Sequence, residues 1–190
     1  MDSPHAVERL RPKAIERLWS ELERVRADVL REVDGLSQHQ ADFKPSDADW
    51  SVGEIVDHLT IAETATSKLT TKLLKEVQAG SAAAVFPHDL TEFAAAPLRE
   101  GDEGLEAPPT VWPSHGKPIG ALLDAMKATR TRSRESVERL AGCDPRRLTF
   151  KHVRFGDMDL GQWWRLMAAH DSMHLRQIRG VKTAPGFPRD

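Results

Sequence analysis

The sequence is poor in cysteine, and this scarcity bounds where the protein can work. Cys143 is the one cysteine among 190 residues, so no disulfide can form within the chain. A chain without disulfides suits a reducing compartment. Cys143 lies in the turn-like stretch Ala-Gly-Cys-Asp-Pro, where nothing nearby lowers the pKa of a thiol, so an inert cysteine is favoured over a reactive one.

The sequence also lacks features of membrane and nucleic-acid-binding proteins. The N-terminal stretch MDSPHAVERLRPKAIERL is charged throughout and has no apolar core of a signal peptide. No apolar run approaches the roughly 18 residues of a membrane span. The net charge of −2 gives no overall attraction to nucleic acid or to an anionic membrane. We therefore expect a cytoplasmic protein that binds neither.

Alternation of apolar and polar residues is scarce, whereas helical periodicity is common. A composition of 39% hydrophobic and 29% charged residues fits one globular domain over residues 1–190. Apolar residues recur every three or four positions in four segments. These segments cover about residues 6–36, 51–80, 118–142 and 160–181. We predict an all-α protein, an antiparallel four-helix bundle.

The ends of these segments carry recognisable signals. Pro12 marks where the regular part of the first helix begins. The second starts at Ser51-Val-Gly-Glu54. This is a capping box, in which the Ser51 side chain can accept from the Glu54 amide and the Glu54 side chain from the Ser51 amide. Residues 149–155 resemble a strand but are too isolated for a sheet.

A long connection separates the second and third segments. Residues 81–117 far exceed the 2 to 8 or so residues that usually join bundle helices, and they contain five prolines. We predict a partly ordered crossover with one short helix near residues 89–96. Its aromatic residues, Phe86, Phe93 and Trp112, are expected to pack over one end of the bundle.

Two histidines interrupt the apolar stripe of the fourth segment. His170 and His174 are four residues apart, so their imidazoles can converge on one metal ion. A hydrogen-bonded pair of core histidines is the alternative, but buried imidazoles need partners. In the second segment, His58 shares a face with Ile55 and Ala62, and it offers a third ligand.

These residues together resemble the DinB/YfiT-like superfamily. The resemblance rests on Trp50-Ser-Val-Gly-Glu-Ile-Val-Asp-His58-Leu and, after a long gap, on His170-x-x-x-His174-Leu-Arg-Gln-Ile. It is supported by Phe43-x-Pro45, Phe155-Gly156 and Leu160-Gly-Gln-Trp163. It covers about residues 12–181 and implies a four-helix bundle whose divalent metal is held by His58, His170 and His174. The proline-rich 81–117 segment departs from the family pattern.

Three protein ligands leave a coordination position for water or substrate, as in catalytic zinc sites. All-imidazole ligation suits several metals, of which we expect zinc or nickel. The resemblance implies a metal-dependent hydrolase or a thiol S-transferase acting on a small molecule, with a low-molecular-weight thiol as one candidate. The alternative is a non-catalytic, metal-stabilised bundle that serves self-association, and we expect a homodimer. DNA binding is a third hypothesis, which the charge disfavours.

Two carboxylates are candidates for catalytic proton transfer. Glu54 lies one turn before His58, although a capping role is favoured for it. Asp171 completes His-Asp-x-x-His, which is close to a zinc-protease motif but has the shorter acid. Glu63 is a further candidate.

Other polar residues are candidates for the surroundings of the site. Gln177 is a candidate to orient His174, although a solvated or interhelical contact is the more usual fate of such a residue. Thr129 with Ser133 predicts a polar cavity opposite the metal. The run from Thr129 to Arg134 otherwise indicates a solvated helix face. Trp163 is a candidate pocket wall, and His115 and His152 are reserve ligands.

Overall fold

The structure is a computed structural model that describes residues 12–78, 85–98 and 107–189. Within these residues the chain is predominantly helical, with 65% helix and 5% strand, so the all-α prediction is confirmed. Its helices are α1 (Lys13–Val33), α2 (Gln38–Asp42), α3 (Val52–Gln78), α4 (Ile119–Arg139) and α5 (Leu160–Thr183). Two strands, β1 (Thr149–His152) and β2 (Gly156–Asp159), form a hairpin.

The four long helices correspond to the four predicted segments. Helix α1 begins directly after Pro12, whose φ of −56° suits entry into a helix. Its apolar stripe is buried, from Ile15 through Leu22 to Val33. The parts of the predicted helices at residues 6–11 and 79–80 lie outside the described residues.

Side-chain caps determine where α3 and α5 begin. The backbone amide of Ser51 donates to Glu54 Oε2 at 2.8 Å, and the amide of Glu54 donates to Ser51 Oγ at 3.2 Å. The predicted capping box is therefore confirmed. Asp159 and Gln162 form a second capping box at α5, and both pairs satisfy amides that a helix start leaves without partners.

A two-stranded sheet precedes α5, so the prediction that residues 149–155 are too isolated for a sheet was wrong. Their partner is the next segment of the chain, because β1 pairs antiparallel with β2, from Thr149 opposite Asp159 to His152 opposite Gly156. Gly156 has a φ of +73°, a conformation that suits glycine in a tight hairpin.

Helices α1 and α5 run parallel, as contacts at both ends show. Glu21, in the first half of α1, accepts from Arg165 near the start of α5, and Glu32 accepts from Lys182 near the ends of both helices. Helices α3 and α4 also run parallel, because Thr64 lies beside Thr129 and, about one turn further along both helices, Ser67 lies beside Ser133. The hydroxyls of Ser67 and Ser133 are 3.1 Å apart, for example.

Helices α3 and α5 run antiparallel, since Thr70 accepts from Trp164 early in α5 whereas His58 meets His170 later in it. The predicted antiparallel order is therefore wrong for the pairs α1–α5 and α3–α4. The physical reason is the long connection, which returns the chain to the end of the molecule where α3 begins. There the Asp57 carboxylate accepts from the amide of Ser114 and from Lys117 Nζ, both at 2.8 Å.

The earlier part of the connection covers the opposite end of the helices. Phe86 and Phe93 are buried in the core cluster that also contains Trp164, as predicted. Phe93 lies so close to the first turn of α5 that a Cβ on Gly161 would be 2.4 Å from its ring. The described residues there carry a turn at 88–89 but no helix over 89–96, so the predicted short helix is wrong.

Trp112 does not pack into the core, contrary to expectation. Its side chain is 51% exposed, and its indole Nε1 donates to the carbonyl of Ala107 at 2.7 Å. Within the described ranges, no helix is both long and apolar enough to cross a membrane.

Candidate metal centre

The three predicted histidines converge between α3 and α5. His58 Nε2 lies 3.0 Å from His170 Nε2, which in turn lies 3.1 Å from His174 Nε2. One ligand atom from each residue lies within 4.8 Å of the others, close enough to share a metal ion. We call these three residues the histidine triad.

Hydrogen bonds on the far side of two rings set their tautomers. His58 Nδ1 is 2.8 Å from the carbonyl of Val111, and His174 Nδ1 is 2.7 Å from Gln177 Oε1. Because these oxygens can only accept, each Nδ1 carries the proton. Both Nε2 atoms then present lone pairs to the centre of the triad. Gln177 therefore orients His174, as predicted from its position.

The donor set fits a divalent ion better than it fits three imidazoles alone. A neutral His170 has at most one hydrogen on Nε2, so it can donate to only one of its two neighbours. Its Nε2 would then have no hydrogen to offer the other neighbour, so a nitrogen lone pair of that neighbour would face it without a hydrogen bond. Ligand nitrogens about 2.0 to 2.1 Å from a tetrahedral ion are about 3.3 Å apart, so small adjustments would accommodate one.

Burial keeps the triad in the form that ligands need. It lowers the pKa of His58, and it lowers the pKa of His170 well below the ordinary value, with a further decrease from the other two rings. For His174, burial and the charge of His58 lower the pKa to about 3. Neutral imidazoles at neutral pH do not have to lose a proton before they bind a metal.

The surroundings of the triad are closed on one side. His58 and His174 are buried, with 2% and 5% of their surface exposed, whereas His170 is partly exposed. The ring of Trp50 lies 4.8 Å from that of His58 and 6.1 Å from that of His174. His170 is therefore the most exposed member of the triad.

Glu54 is engaged by its cap, by a lysine and by a histidine. Its carboxylate accepts from the Ser51 amide and lies 3.6 Å from Lys44 Nζ and 3.4 Å from His115 Nδ1. His115, a reserve ligand, thus contacts Glu54 and is not a member of the triad. These contacts agree with the capping role that was favoured for Glu54.

Asp171 belongs to a buried ion-pair network that links four helices. Its oxygens accept from Arg26 Nε at 2.9 Å and from Arg130 Nη2 at 3.2 Å. Glu63 Oε2 accepts from the same two arginines, at 2.7 and 3.0 Å. The buried members are two positive and two negative side chains, so their charges balance; the half-exposed Glu23 also lies 3.7 Å from Arg130 Nη1. Sequence reasoning missed both arginines, although Arg26 falls on the apolar stripe of α1 between Leu22 and Val29.

Thr129 and Ser133 do not face the histidine triad. They pair with hydroxyls of α3, Thr129 with Thr64 at 3.5 Å and Ser133 with Ser67 at 3.1 Å. Thr129 lines a groove of about 420 Å³ that includes none of the three histidines. The expectation of a polar cavity opposite the metal was therefore wrong, because these small side chains allow two parallel helices to approach closely.

The basic run in α4 divides among three environments. Arg130 is buried in the ion-pair network, Arg132 donates to Thr129 at 2.9 Å, and Arg134 donates to Glu138 at 3.0 Å. The solvated face predicted for this run is therefore wrong for Arg130 and for the buried Thr129.

Comparison with known proteins identifies the family of this chain. The sequence pattern of the DinB superfamily matches residues 21–178. This chain belongs to the DinB superfamily. YuaE, an uncharacterised protein of Bacillus subtilis (strain 168), is similar to this DinB-superfamily chain, with 23% identity over 164 residues that cover 83% of this chain and 92% of YuaE. No solved structure gives a significant match. The superfamily match includes all three triad histidines.

Proposed function

We propose that this protein binds one divalent metal ion through His58, His170 and His174. The proposal rests on the convergence of three Nε2 atoms, with separations of 3.0 and 3.1 Å. Two of the rings donate a hydrogen bond from Nδ1 to a carbonyl oxygen, which leaves their Nε2 lone pairs available to an ion. Membership of the DinB superfamily supports it. The all-imidazole donor set favours zinc or nickel.

We further propose that the bound ion serves a metal-dependent hydrolase or a thiol S-transferase acting on a small molecule. Such an ion can lower the pKa of a bound water or hold a substrate thiolate. Three ligands and the partly exposed His170 support an accessible fourth position. A low-molecular-weight thiol is the substrate class that we favour for the transferase.

Glu54 and Asp171 remain the proposed groups for moving a proton in that reaction. Each would have to loosen present contacts first, Glu54 from the Ser51 amide and Asp171 from Arg26 and Arg130. These contacts favour a structural role for Glu54 and Asp171, in which each holds neighbouring residues in position.

The second candidate is a non-catalytic protein that uses the ion for stability. The observation in its favour is that the triad links α3 to α5 and, through Val111, to the long connection. An ion there would join three parts of the chain. We also propose a single four-helix-bundle domain, a cytoplasmic location and a homodimer, without nucleic-acid or membrane binding.

Metal analysis tests the site directly. Protein purified without an affinity tag should contain about one equivalent of zinc or nickel per chain. A His170→Ala/His174→Ala variant should contain almost none, whereas a matched His39→Ala/His88→Ala variant at two exposed histidines should retain the wild-type content. Equal metal in the triad variant and the wild type would contradict the proposal.

Turnover assays distinguish the two candidates. The metal-loaded protein is incubated with activated esters, and separately with low-molecular-weight thiols and an electrophile. Metal-dependent turnover supports the enzyme. A protein that loses thermal stability on metal removal, but shows no turnover, supports the stabilising role.

A further inference from the structure

The last described part of the long connection lies beside the first turns of α3. We call residues 107–118 the strap. Val111 ends a single 3₁₀ turn of the strap, Pro109–Val111, and its carbonyl oxygen is 2.8 Å from His58 Nδ1. The strap therefore supplies the hydrogen-bond acceptor that orients one ring of the histidine triad.

Asp57, the residue before His58, fastens the strap three residues beyond Val111. Its Oδ2 accepts from the backbone amide of Ser114 and from Lys117 Nζ, both at 2.8 Å, and its Oδ1 accepts from Lys117 Nζ at 2.9 Å. The Asp57 side chain is buried, with 5% of the residue exposed. Hydrogen bonds to a carboxylate are strong, and burial strengthens them further.

Other contacts fasten the strap further from Val111. His115 Nδ1 lies 3.4 Å from Glu54 Oε1, and Gln38 binds the carbonyl of Lys117 and the amide of Ile119, just past the strap. Apart from the bond to His58 itself, the Ser114–Asp57 bond is thus the one nearest to Val111 in sequence that fastens the strap to a helix, among the described residues. The position of the Val111 carbonyl should therefore depend on Asp57 more than on the other contacts.

We propose that Asp57 is a positioning residue of the metal site, which holds the Ser114 amide and thereby keeps the Val111 carbonyl on His58 Nδ1. The hydrogen of the His58 ring then stays on Nδ1, and the Nε2 lone pair faces the other two histidines. This inference rests on the proposed function and deepens it. Asp57 acts through the strap and is not itself a ligand.

Two substitutions separate the hydrogen bond from the charge. Asp57→Ala and Asp57→Asn both remove the negative charge, but asparagine keeps an oxygen that can accept from the Ser114 amide. In the metal-free full chain, ¹⁵N NMR of labelled histidines reports which nitrogen of His58 carries the hydrogen, and the His58 signals are assigned by their loss in His58→Gln. We expect the Nδ1–H form in the wild type and in Asp57→Asn, and a mixture of both forms in Asp57→Ala.

Zn²⁺ affinity, measured by competition with a chromogenic chelator, provides a second readout. Asp57→Ala should bind Zn²⁺ about tenfold more weakly than Asp57→Asn, the size of effect that follows from loss of an outer-shell hydrogen bond. Asp144→Ala is the matched control, because Asp144 is 8% exposed and also accepts from a backbone amide and a cation, both of Arg146. It should leave the Zn²⁺ affinity and the His58 tautomer unchanged.

A further variant keeps the inference testable if Asp57→Ala does not fold. Lys117→Met changes a side chain that is 44% exposed and removes two of the three hydrogen bonds to the Asp57 carboxylate. It should shift the His58 tautomer in the same direction as Asp57→Ala, by a smaller amount.

The outcomes are distinguishable. A His58 ring that stays in the Nδ1–H form in both Asp57→Ala and Lys117→Met would overturn the inference. Equal Zn²⁺ affinities of Asp57→Ala and Asp57→Asn would also overturn it, because the charge alone would then matter. A wild-type protein that binds no Zn²⁺ would contradict the proposed function, whereas the tautomers in the metal-free protein would still show whether Asp57 positions His58.

Discussion

Replacement of Asp171 by asparagine should be among the most destabilising polar substitutions in this protein. The Asp171 carboxylate is 3% exposed and accepts three hydrogen bonds, two from Arg26 and one from Arg130. Asparagine removes the negative charge and offers one acceptor oxygen in place of two. Two guanidinium groups would then share the single carboxylate of Glu63 in a buried position.

The expected magnitude follows from that imbalance. Removing one partner of a buried ion pair costs about 3 to 5 kcal/mol, because the remaining charge stays desolvated. Typical domains are stable by about 5 to 15 kcal/mol, so Asp171→Asn should remove a large share of the free energy of unfolding. Glu138→Gln, which alters an exposed pair with Arg134, should cost less than about 1 kcal/mol.

Urea unfolding followed by far-UV circular dichroism measures both effects. A double variant, Arg26→Met/Asp171→Leu, removes one charge of each sign and should be less destabilised than the sum of its single variants. An Asp171→Asn cost below about 1 kcal/mol, or strict additivity in the double variant, would refute the reasoning. Such a result would leave Asp171 free for a direct part in proton transfer.

Three other predictions follow from separate parts of the structure. Gly161→Ala should lower the melting temperature, because its Cβ would lie 2.4 Å from the Phe93 ring and overpacking costs about 1 to 3 kcal/mol; Phe93→Leu should relieve part of this, and an unchanged Gly161→Ala melting temperature would contradict the close packing. Hydrogen bonds from Lys182 and Arg179 lower the pKa of Glu32 from its ordinary value of 4.5. Ionised Glu32 should therefore stabilise the folded protein above pH 4.5, and this contribution should be lost as the pH falls through the lowered pKa. In urea unfolding, the free energy of unfolding of the wild type should exceed that of Glu32→Gln by about 0.5 kcal/mol at neutral pH, and this difference should vanish in acid. A difference that grows in acid would contradict the lowered pKa of Glu32. Chelation with EDTA should lower the melting temperature of wild type but not of the triad variant, and equal shifts would place the ion elsewhere.

Much of the candidate site was predictable because its residues obey local rules. The four-residue spacing of His170 and His174 and the capping box before His58 depend on helix geometry alone. Gln177 was predictable for the same reason, since it lies one turn beyond His174. The hydrogen bonds from the amides of Arg154 and Phe155 to His152 were not, because a single histidine before a hairpin turn carries no periodic signal.

The fold shows the same division. Apolar stripes and end signals place α1, α3, α4 and α5 correctly within the described residues, whereas the short capped helix α2 was not predicted. The hairpin was missed because its second strand, Gly-Asp-Met-Asp, has only one apolar side chain. Trp112 was expected in the core on hydrophobicity, yet a hydrogen bond within the connection holds it at the surface.

The sequence by itself determined the four long helices, the capping box of α3 and the helical spacing of the candidate histidines, because periodicity and capping act between residues only a few positions apart. Tertiary structure alone decided which helices run parallel, because that depends on residues 107–118 lying beside the start of α3, where Asp57 contacts Ser114 and Lys117. It also decided that Arg26 and Arg130 are buried beside Glu63 and Asp171. A buried charge is stable only when its partners arrive from other helices, and those partners are as many as 145 residues away in the chain.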